Sequence, residues 1–237
     1  TIAFVLQRAF DMRAEGWFSG DVHVHAHHEP LDVELLPSHV ARMARGEDLA
    51  MMWLLDDAWN FTGGPHPLST SEHILYFSVE YRNQAYGHAP ILGLDAITFG
   101  IGCCTPPSAA SPMLSQVREG WNPQYGEAMV LAHPSSTTDF FYDGGWPGWG
   151  LGRELPVLAT SGNLDAMDIA SYSNVGTVAT ENWESLLNCG FMIPPSAGTD
   201  AVVNRFYCQP PGGYRVYVQE DGGPHTHDRW VEGLKAG

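Results

Sequence analysis

The stretch Ser19-Gly20-Asp21-Val22-His23-Val24-His25 decides how this chain is read. Its apolar spacing is that of a buried β-strand, in which side chains alternate faces and residues two apart point the same way. His23 and His25 then present two imidazoles to one side while Val22 and Val24 pack behind them. Such a pair can clamp one metal ion, and it also occurs in half-buried strands with ordinary hydrogen bonds. What separates the two readings lies further along the chain.

Residues 1–15 read as a lead-in segment and residues 16–237 as one domain, since α/β barrels commonly exceed about 200 residues without dividing. From Val33 to Gly46, Val33, Leu36, Val40 and Met43 recur at spacings of three or four, which predicts an amphipathic helix with Pro37 near its first turn. Asp48 to Leu55 is a short apolar run, the pattern of a strand buried on both faces, and it ends in Asp56-Asp57. Further strands are expected over His73 to Tyr81, carrying Glu80, over Ala89 to Leu94 after Gly87-His88, over Ala128 to Ala132 before His133-Pro134, over Leu164 to Ile169, from Phe191, and over Tyr214 to Gln219. Helices are expected near Leu114 to Glu119, over Glu181 to Asn188 and from Trp230 to Lys235, and the glycine-rich aromatic stretch Asp139 to Trp149 reads as a loop. Strands and helices alternate without internal repeats, which predicts an α/β domain with a mainly parallel sheet.

Composition narrows the chemistry. The 237 residues include 44% hydrophobic ones, enough for a core, and 27 acidic against 11 basic residues give a formal charge of −16. That balance argues against a sequence-independent grip on nucleic acid or an anionic membrane, and bound cations would offset part of it. Eleven histidines cluster with carboxylates rather than scattering. The four cysteines, Cys103, Cys104, Cys189 and Cys208, form no C-x-x-C pair; buried free thiols and a Cys189–Cys208 disulfide both remain open, so the compartment does too. No apolar run approaches the roughly 20 residues of a membrane-spanning helix.

Six residues, His23, His25, Glu80, His88, His133 and Asp200, stand at or just beyond the ends of apolar runs. Barrel-type α/β folds place their chemistry at the C-terminal ends of strands. Imidazoles and carboxylates suit Zn²⁺ or Mn²⁺, and a carboxylate can bridge two ions at the ~3.5–4 Å used in two-metal hydrolysis. Singly each has an ordinary alternative: His88 as a turn residue, His133 as a strand-end cap, Asp200 as a helix N-cap. Jointly they read as a metal centre. Asp21 is either a partner orienting one imidazole or a strand-end cap. His27, His28, Asp57 and Arg82 are candidates for proton transfer or oxyanion stabilisation, against solvated or structural roles. Phe140, Phe141, Tyr142, Trp146 and Trp149 line an apolar pocket or pack their loop onto the domain.

The sequence resembles the PHP (polymerase and histidinol phosphatase) superfamily, and within it the CehA/McbA branch of metal-dependent hydrolases. The resemblance rests on GWFSGDVHVH (Gly16 to His25), Glu80 followed by YGHAPILGL (Tyr86 to Leu94), LAHP (Leu131 to Pro134), LLNCGF (Leu186 to Phe191) and SAGTDA (Ser196 to Ala201). It implies a distorted (β/α)7 barrel with its metal site at the C-terminal ends of the strands. It makes His23, His25 and Asp200 ligands of one metal, Glu80 the bridging carboxylate, and His88 and His133 ligands of a second. Where many relatives hold a third ion with further histidines, this chain has Asp57 and Val202. The expectation is therefore two divalent ions, Zn²⁺ or Mn²⁺ with Fe²⁺ also suited, and a bridging hydroxide that cleaves a carboxylic ester, carbamate, phosphoester or sulfate ester of a small molecule. The alternatives are a non-catalytic metal-stabilised binding module and a three-metal phosphatase. The closing WVEGLKAG resembles a stretch that continues into further strands, implying a longer polypeptide.

Overall fold

In the computed structural model, which describes residues 9–56, 58–83, 86–97, 114, 117, 127–134, 154–171, 178–206 and 208–237, the opening stretch forms strand β1 (Trp17–His25). Ser19 through His25 are all buried, and alternation sorts them. Gly20 lies under the ring of Trp230 in the C-terminal helix, so close that a Cβ there would stand 2.3 Å from the indole. Val22 joins that same core with Trp53 and Trp230, while Val24 packs with Val40, Ala41 and Ala44. Asp21, His23 and His25 are left to face the other way.

β2 (Met51–Leu54) is wholly buried and runs parallel to β1, and β3 (Ile74–Phe77) runs parallel to β2. β10 (Val216–Gln219) closes the outer edge antiparallel to β1, and the short β9 (Ala201–Val202) pairs with the end of β1. A second sheet follows the order β4 (Val79–Asn83), β5 (Gly87–Leu92), β6 (Ala128–Leu131), β7 (Ala166–Ala170), β8 (Pro195–Ala197). The described helices are α1 (Pro37–Gly46), α2 (Leu155–Ser161), α3 (Val178–Asn188) and α4 (His227–Ala236), with a 3-10 turn over Arg13–Glu15 leading into β1.

Several expectations are corrected. The run His73 to Tyr81 is not one strand. It breaks at Ser78, whose N–H donates to Leu54 O at 2.8 Å and whose hydroxyl donates to Ile91 O, so consecutive residues serve different sheets. The helix expected from Val33 begins at Pro37, because proline at its first position holds Leu36 extended at φ −101°, ψ 153°. The strand after Phe191 starts only at Pro195. In the second sheet β4, β5 and β6 pair antiparallel, and only β6, β7 and β8 are parallel. The described strands thus form two five-stranded sheets of a mixed α/β fold, in which most pairings are parallel, as expected, and β1–β10, β4–β5 and β5–β6 are antiparallel. Cys189 and Cys208 are free thiols, so the disulfide alternative falls away. Cys103, Cys104 and the aromatic loop lie outside the described residues. Of the helix expected near Leu114 to Glu119, Leu114 and Val117 are described, helical and buried. Among the described residues no helix is long and apolar enough to cross a membrane.

Candidate metal centre

Strand alternation brings the two clamp imidazoles together. Their Nε2 atoms lie 3.1 Å apart and both rings are buried. Glu80, the second residue of β4, reaches the pair from the other sheet, with its carboxylate oxygens 3.3 Å from His23 Nε2 and 3.3 Å from His25 Nε2. Asp200 enters from the turn before β9, 3.4 Å from His23 Nε2 and 3.6 Å from His25 Nε2. That turn is anchored by the Asp200 N–H donating to His23 O at 2.8 Å.

The β4–β5 hairpin sets Arg82 opposite His88, which puts His88 diagonal to Glu80 and its Nδ1 3.1 Å from Glu80 Oε1. His133 follows β6 and lies 3.9 Å from both Glu80 and Asp200. His133 at φ 28° and Asp200 at φ 54° both hold left-handed backbone. Non-glycine residues adopt it at a cost of about 1 kcal/mol or more, which marks positions that the surrounding fold imposes. All six expected ligands therefore converge. The donor atoms of His23, Glu80 and His133 lie within 4.8 Å of one another, as do those of His23, His25 and Asp200, so His23 belongs to both groups.

The electrostatics follow from burying so much charge. Burial alone would raise the Glu80 carboxyl, but His23 and His88 beside it, with hydrogen bonds from His23 and His25, hold it well below the usual carboxylate range. Asp200 is lowered too, against burial, by His23, His133 and His25. Burial works to lower His25, yet Asp56 and Glu80 push it up to about 10. In His133 burial wins and takes the imidazole down to about 4.

The donor set fits divalent cations. His25 Nδ1 faces Asp56 Oδ1 at 3.2 Å, which favours the tautomer protonated there and turns the Nε2 lone pair toward His23 Nε2 and the carboxylates. Lone pairs so arranged repel unless a proton or a cation stands among them, and Glu80 Oε1 has two imidazole nitrogens beside it, His88 Nδ1 at 3.1 Å and His23 Nε2 at 3.3 Å. Mixed imidazole and carboxylate donors suit borderline ions of the zinc and manganese kind.

The remaining expected residues divide. Arg82 is buried at the centre, its Nε 3.7 Å from Glu80 Oε2. His27 stacks on Trp59, with ring centroids 5.4 Å apart, and meets the site through its backbone N–H on Asp56. His28 packs edge-on to His25 at 5.3 Å while its Nδ1 sits 2.9 Å from Glu29 O. Asp57 lies outside the described residues. Asp21 orients no imidazole: it accepts from the backbone of His23, Thr199 and Gly212 and from the Thr199 hydroxyl, tying β1 to the turn that carries Asp200. Sequence reasoning missed Asp56, which holds His25, and Asp168, a buried carboxylate on β7. A lone carboxylate inside the apolar run AMDIA was the available signal for the latter.

No family model matches the chain, and no curated protein does. Among solved structures it is similar to PsfC from Pseudomonas syringae PB-5123, with TM-score 0.58 and 14% identity over 91% of this chain and 88% of that one. It is also similar to Endonuclease Q in complex with a 27-mer duplex substrate bearing an abasic lesion at the active site, with TM-score 0.56 and 11% identity over 93% of this chain and 57% of that one. At these identities the likeness is one of fold alone. Among the described residues, buried His, Glu and Asp groups are placed so that they could hold metal ions. One expectation is overturned: net charge does not exclude nucleic acid, because this kind of fold carries a DNA duplex in Endonuclease Q. The physical reason is that local groups and bound cations, rather than the whole-chain balance, set the potential at a site.

Proposed function

We propose that the protein is a hydrolase of ester-type bonds with a two-metal centre formed by His23, His25, Glu80, His88, His133 and Asp200. The observation that carries this reading is the convergence of four buried or half-buried imidazoles, His23, His25, His88 and His133, on the carboxylates of Glu80 and Asp200. His23, His25 and Asp200 would hold one ion, His88 and His133 the other, and Glu80 both. Zn²⁺ or Mn²⁺ suits these donors, with Fe²⁺ next. Divalent ions there supply Lewis acidity, making water nucleophilic near neutral pH and polarising the oxygen under attack. The chain's own part is to fix the donors: Asp56 orients His25, and Asp21 holds the Asp200 turn. Arg82, beside Glu80, is the positive group available to a developing oxyanion. His27, His28 and Asp57 are the other groups within this reading for proton transfer.

Within it the two sheets form a distorted PHP-type barrel over residues 16–237, and the branch is the CehA/McbA one. Val202 pairs with His25 at the end of β1, an aliphatic side chain where the resemblance would set a third ion's ligand, which favours two ions. Carboxylic esters, carbamates and phosphoesters share the chemistry, and the DNA-bound neighbour brings nucleic-acid phosphodiesters into the same set. The test is elemental analysis of purified protein, followed by hydrolysis of activated aryl phosphate, carboxylate and carbamate esters and an abasic DNA duplex, with and without chelator. Two ions per chain and chelator-sensitive turnover are expected, and His23→Ala should lose both. Stoichiometric metal with no turnover on any substrate would instead support a metal-stabilised binding module.

A further inference from the structure

A cleft of about 520 Å³ lies between β10, the start of β8 and α4. Trp17, the first residue of β1, lines it, whereas His25 of the metal centre is the last residue of that strand. At about 3.3 Å per residue the two are roughly 25 Å apart, so the cleft belongs to the opposite end of the strands from the centre. Its volume falls within the roughly 300–1,000 Å³ of ligand pockets.

One wall of the cleft is a strand edge. β10 ends its sheet and, among the described residues, pairs only with β1. The Glu220 N–H donates to Gly16 O at 2.9 Å. Ladder alternation then turns the N–H and C=O groups of Val216 and Val218 to β1, and those of Tyr217 and Gln219 outward. A bridge between Gly198 and Arg215 closes that side just before β10 begins. Carried on, it would set Pro195 and Pro194 against β10, and prolines have no N–H to give. The edge is thus left open where Pro195, Tyr217 and Gln219 line the cleft.

The side chains around this edge are acidic and aromatic. Glu220, Asp221 and Glu232 line the cleft against one guanidinium, Arg229, and Trp17 and Tyr217 add a half-buried and an exposed ring. Arg229 is engaged by backbone: its Nη2 donates to Asp221 O at 2.5 Å and its Nη1 to Pro224 O at 3.4 Å. Its Nε stands 3.9 Å from Glu220 Oε2, beyond hydrogen-bond reach. Glu220 is only 8% exposed, and while its Oε1 meets His225 Nδ1 at 2.6 Å, its Oε2 is buried without a hydrogen-bond partner. A carboxylate oxygen left so is a costly arrangement that a donor from outside relieves. Lys235, which does not line the cleft, holds Glu232 at 3.0 Å in an exposed pair of little strength.

We propose that the cleft docks an extended basic segment of a partner protein. The segment pairs its backbone with Tyr217 and Gln219 on the outer edge of β10 and sets a lysine or arginine side chain toward Glu220, Asp221 and Glu232. Strand addition of this kind draws affinity from backbone hydrogen bonds and specificity from alternate side chains. The alternation fits, because residues of an added strand on the face of Val218 and Glu220 meet the acidic groups, and those on the face of Tyr217 meet the aromatic rings. A second copy of this chain is disfavoured as occupant, since a formal charge of −16 sets each copy against the other. The inference is independent of the metal-centre reading.

The test uses the full-length protein and three capped peptides: one alternating lysine with threonine, one with glutamate for lysine, and the lysine peptide with an N-methylated backbone. Calorimetry measures binding, and NMR measures amide hydrogen exchange at Tyr217 and Gln219. The lysine peptide should bind and slow exchange at both amides about tenfold or more, and the other two should not. Gln219→Pro removes an outward N–H without touching the ladder to β1, so affinity should fall about tenfold, whereas Gln219→Ala should keep it. Asp221→Asn combined with Glu232→Gln should also lower affinity about tenfold and flatten its salt dependence. If Gln219→Pro does not fold, the N-methylated peptide puts the same question from the ligand's side. A lysine peptide that does not bind, or that binds no better than its N-methylated form or spermidine, would overturn the proposal. So would Tyr217 and Gln219 amides already protected without peptide, or a protein that self-associates until Gln219→Pro releases it, since either shows the edge to be taken by the protein itself.

Discussion

His25 Nδ1 lies 3.2 Å from Asp56 Oδ1, and the other oxygen of that carboxylate accepts the backbone N–H groups of Ala26 at 2.6 Å and His27 at 3.0 Å. One side chain just past β2 thus fixes both a clamp ring and the turn that leaves β1. Asp56→Ala should weaken Zn²⁺ binding about 10–100-fold. Because two backbone donors also lose their acceptor, it should cost about 1–3 kcal/mol of stability. Chelator competition and urea denaturation measure the two effects, and unchanged affinity would show that Asp56 shapes only the turn.

The pH dependence of the metal-free protein has a definite sign. The His25 imidazole is pushed up to about 10 in the fold from an ordinary value of 6.5. Its stabilising contribution is complete below pH 6.5 and is lost as pH rises toward 10. Chelator-treated protein should therefore weaken by on the order of a few kcal/mol across that range. Metal-loaded protein should move the opposite way, since cations and protons compete for the same lone pairs and affinity rises with pH. Urea denaturation of both forms from neutral to alkaline pH checks this, and parallel trends would contradict it.

Two glycines under steric pressure separate fold from site. Gly198→Ala sets a methyl 2.6 Å from His23 Cβ, and Gly20→Ala sets one 2.3 Å from the Trp230 ring. Each should cost about 1–3 kcal/mol. Only the first should also reduce Zn²⁺ affinity, because only it displaces a clamp histidine. Equal losses of affinity in the two variants would remove the distinction.

His227 supplies an acid-sensitive element away from the centre. It packs against Tyr76, with ring centroids 4.5 Å apart, and near Trp53 at 6.0 Å. Burial lowers its pKa from 6.5 despite Asp228 at 2.8 Å, so below pH 6.5 protons bind the unfolded chain preferentially. Its contribution is present above that pH and is lost on acidification. His227→Phe should flatten the acid limb of the thermal-stability profile, and an unchanged limb would assign acid sensitivity elsewhere.

The clamp was legible because strand alternation is a local property: Val22 and Val24 announce the buried face, and His23 and His25 must share the other. β2 and β6 were legible as continuous apolar runs for the same reason. The break at Ser78 was not, since HILYFSVEY has the pattern of one strand and its interruption depends on bonds to Leu54 and Ile91, remote in sequence. The antiparallel pairing of β4, β5 and β6 went unseen because pairing direction leaves no mark on the periodicity of a short strand. Asp56 and Asp57 are neighbours of one type at the end of one run, and composition cannot say which turns toward His25. The structure gives that role to Asp56.

Ser78 also sets a reading frame for faces. It is the single residue between β3 and β4, and Glu80 follows it by two positions, the shortest step that returns a side chain to the same face. Adding or removing one residue between Ser78 and Glu80 would rotate every β4 side chain to the opposite face, carrying the central carboxylate away from all four histidines while leaving composition and apolar content almost unaltered. Length variation among natural relatives should therefore be tolerated in the loops and be silent at this junction.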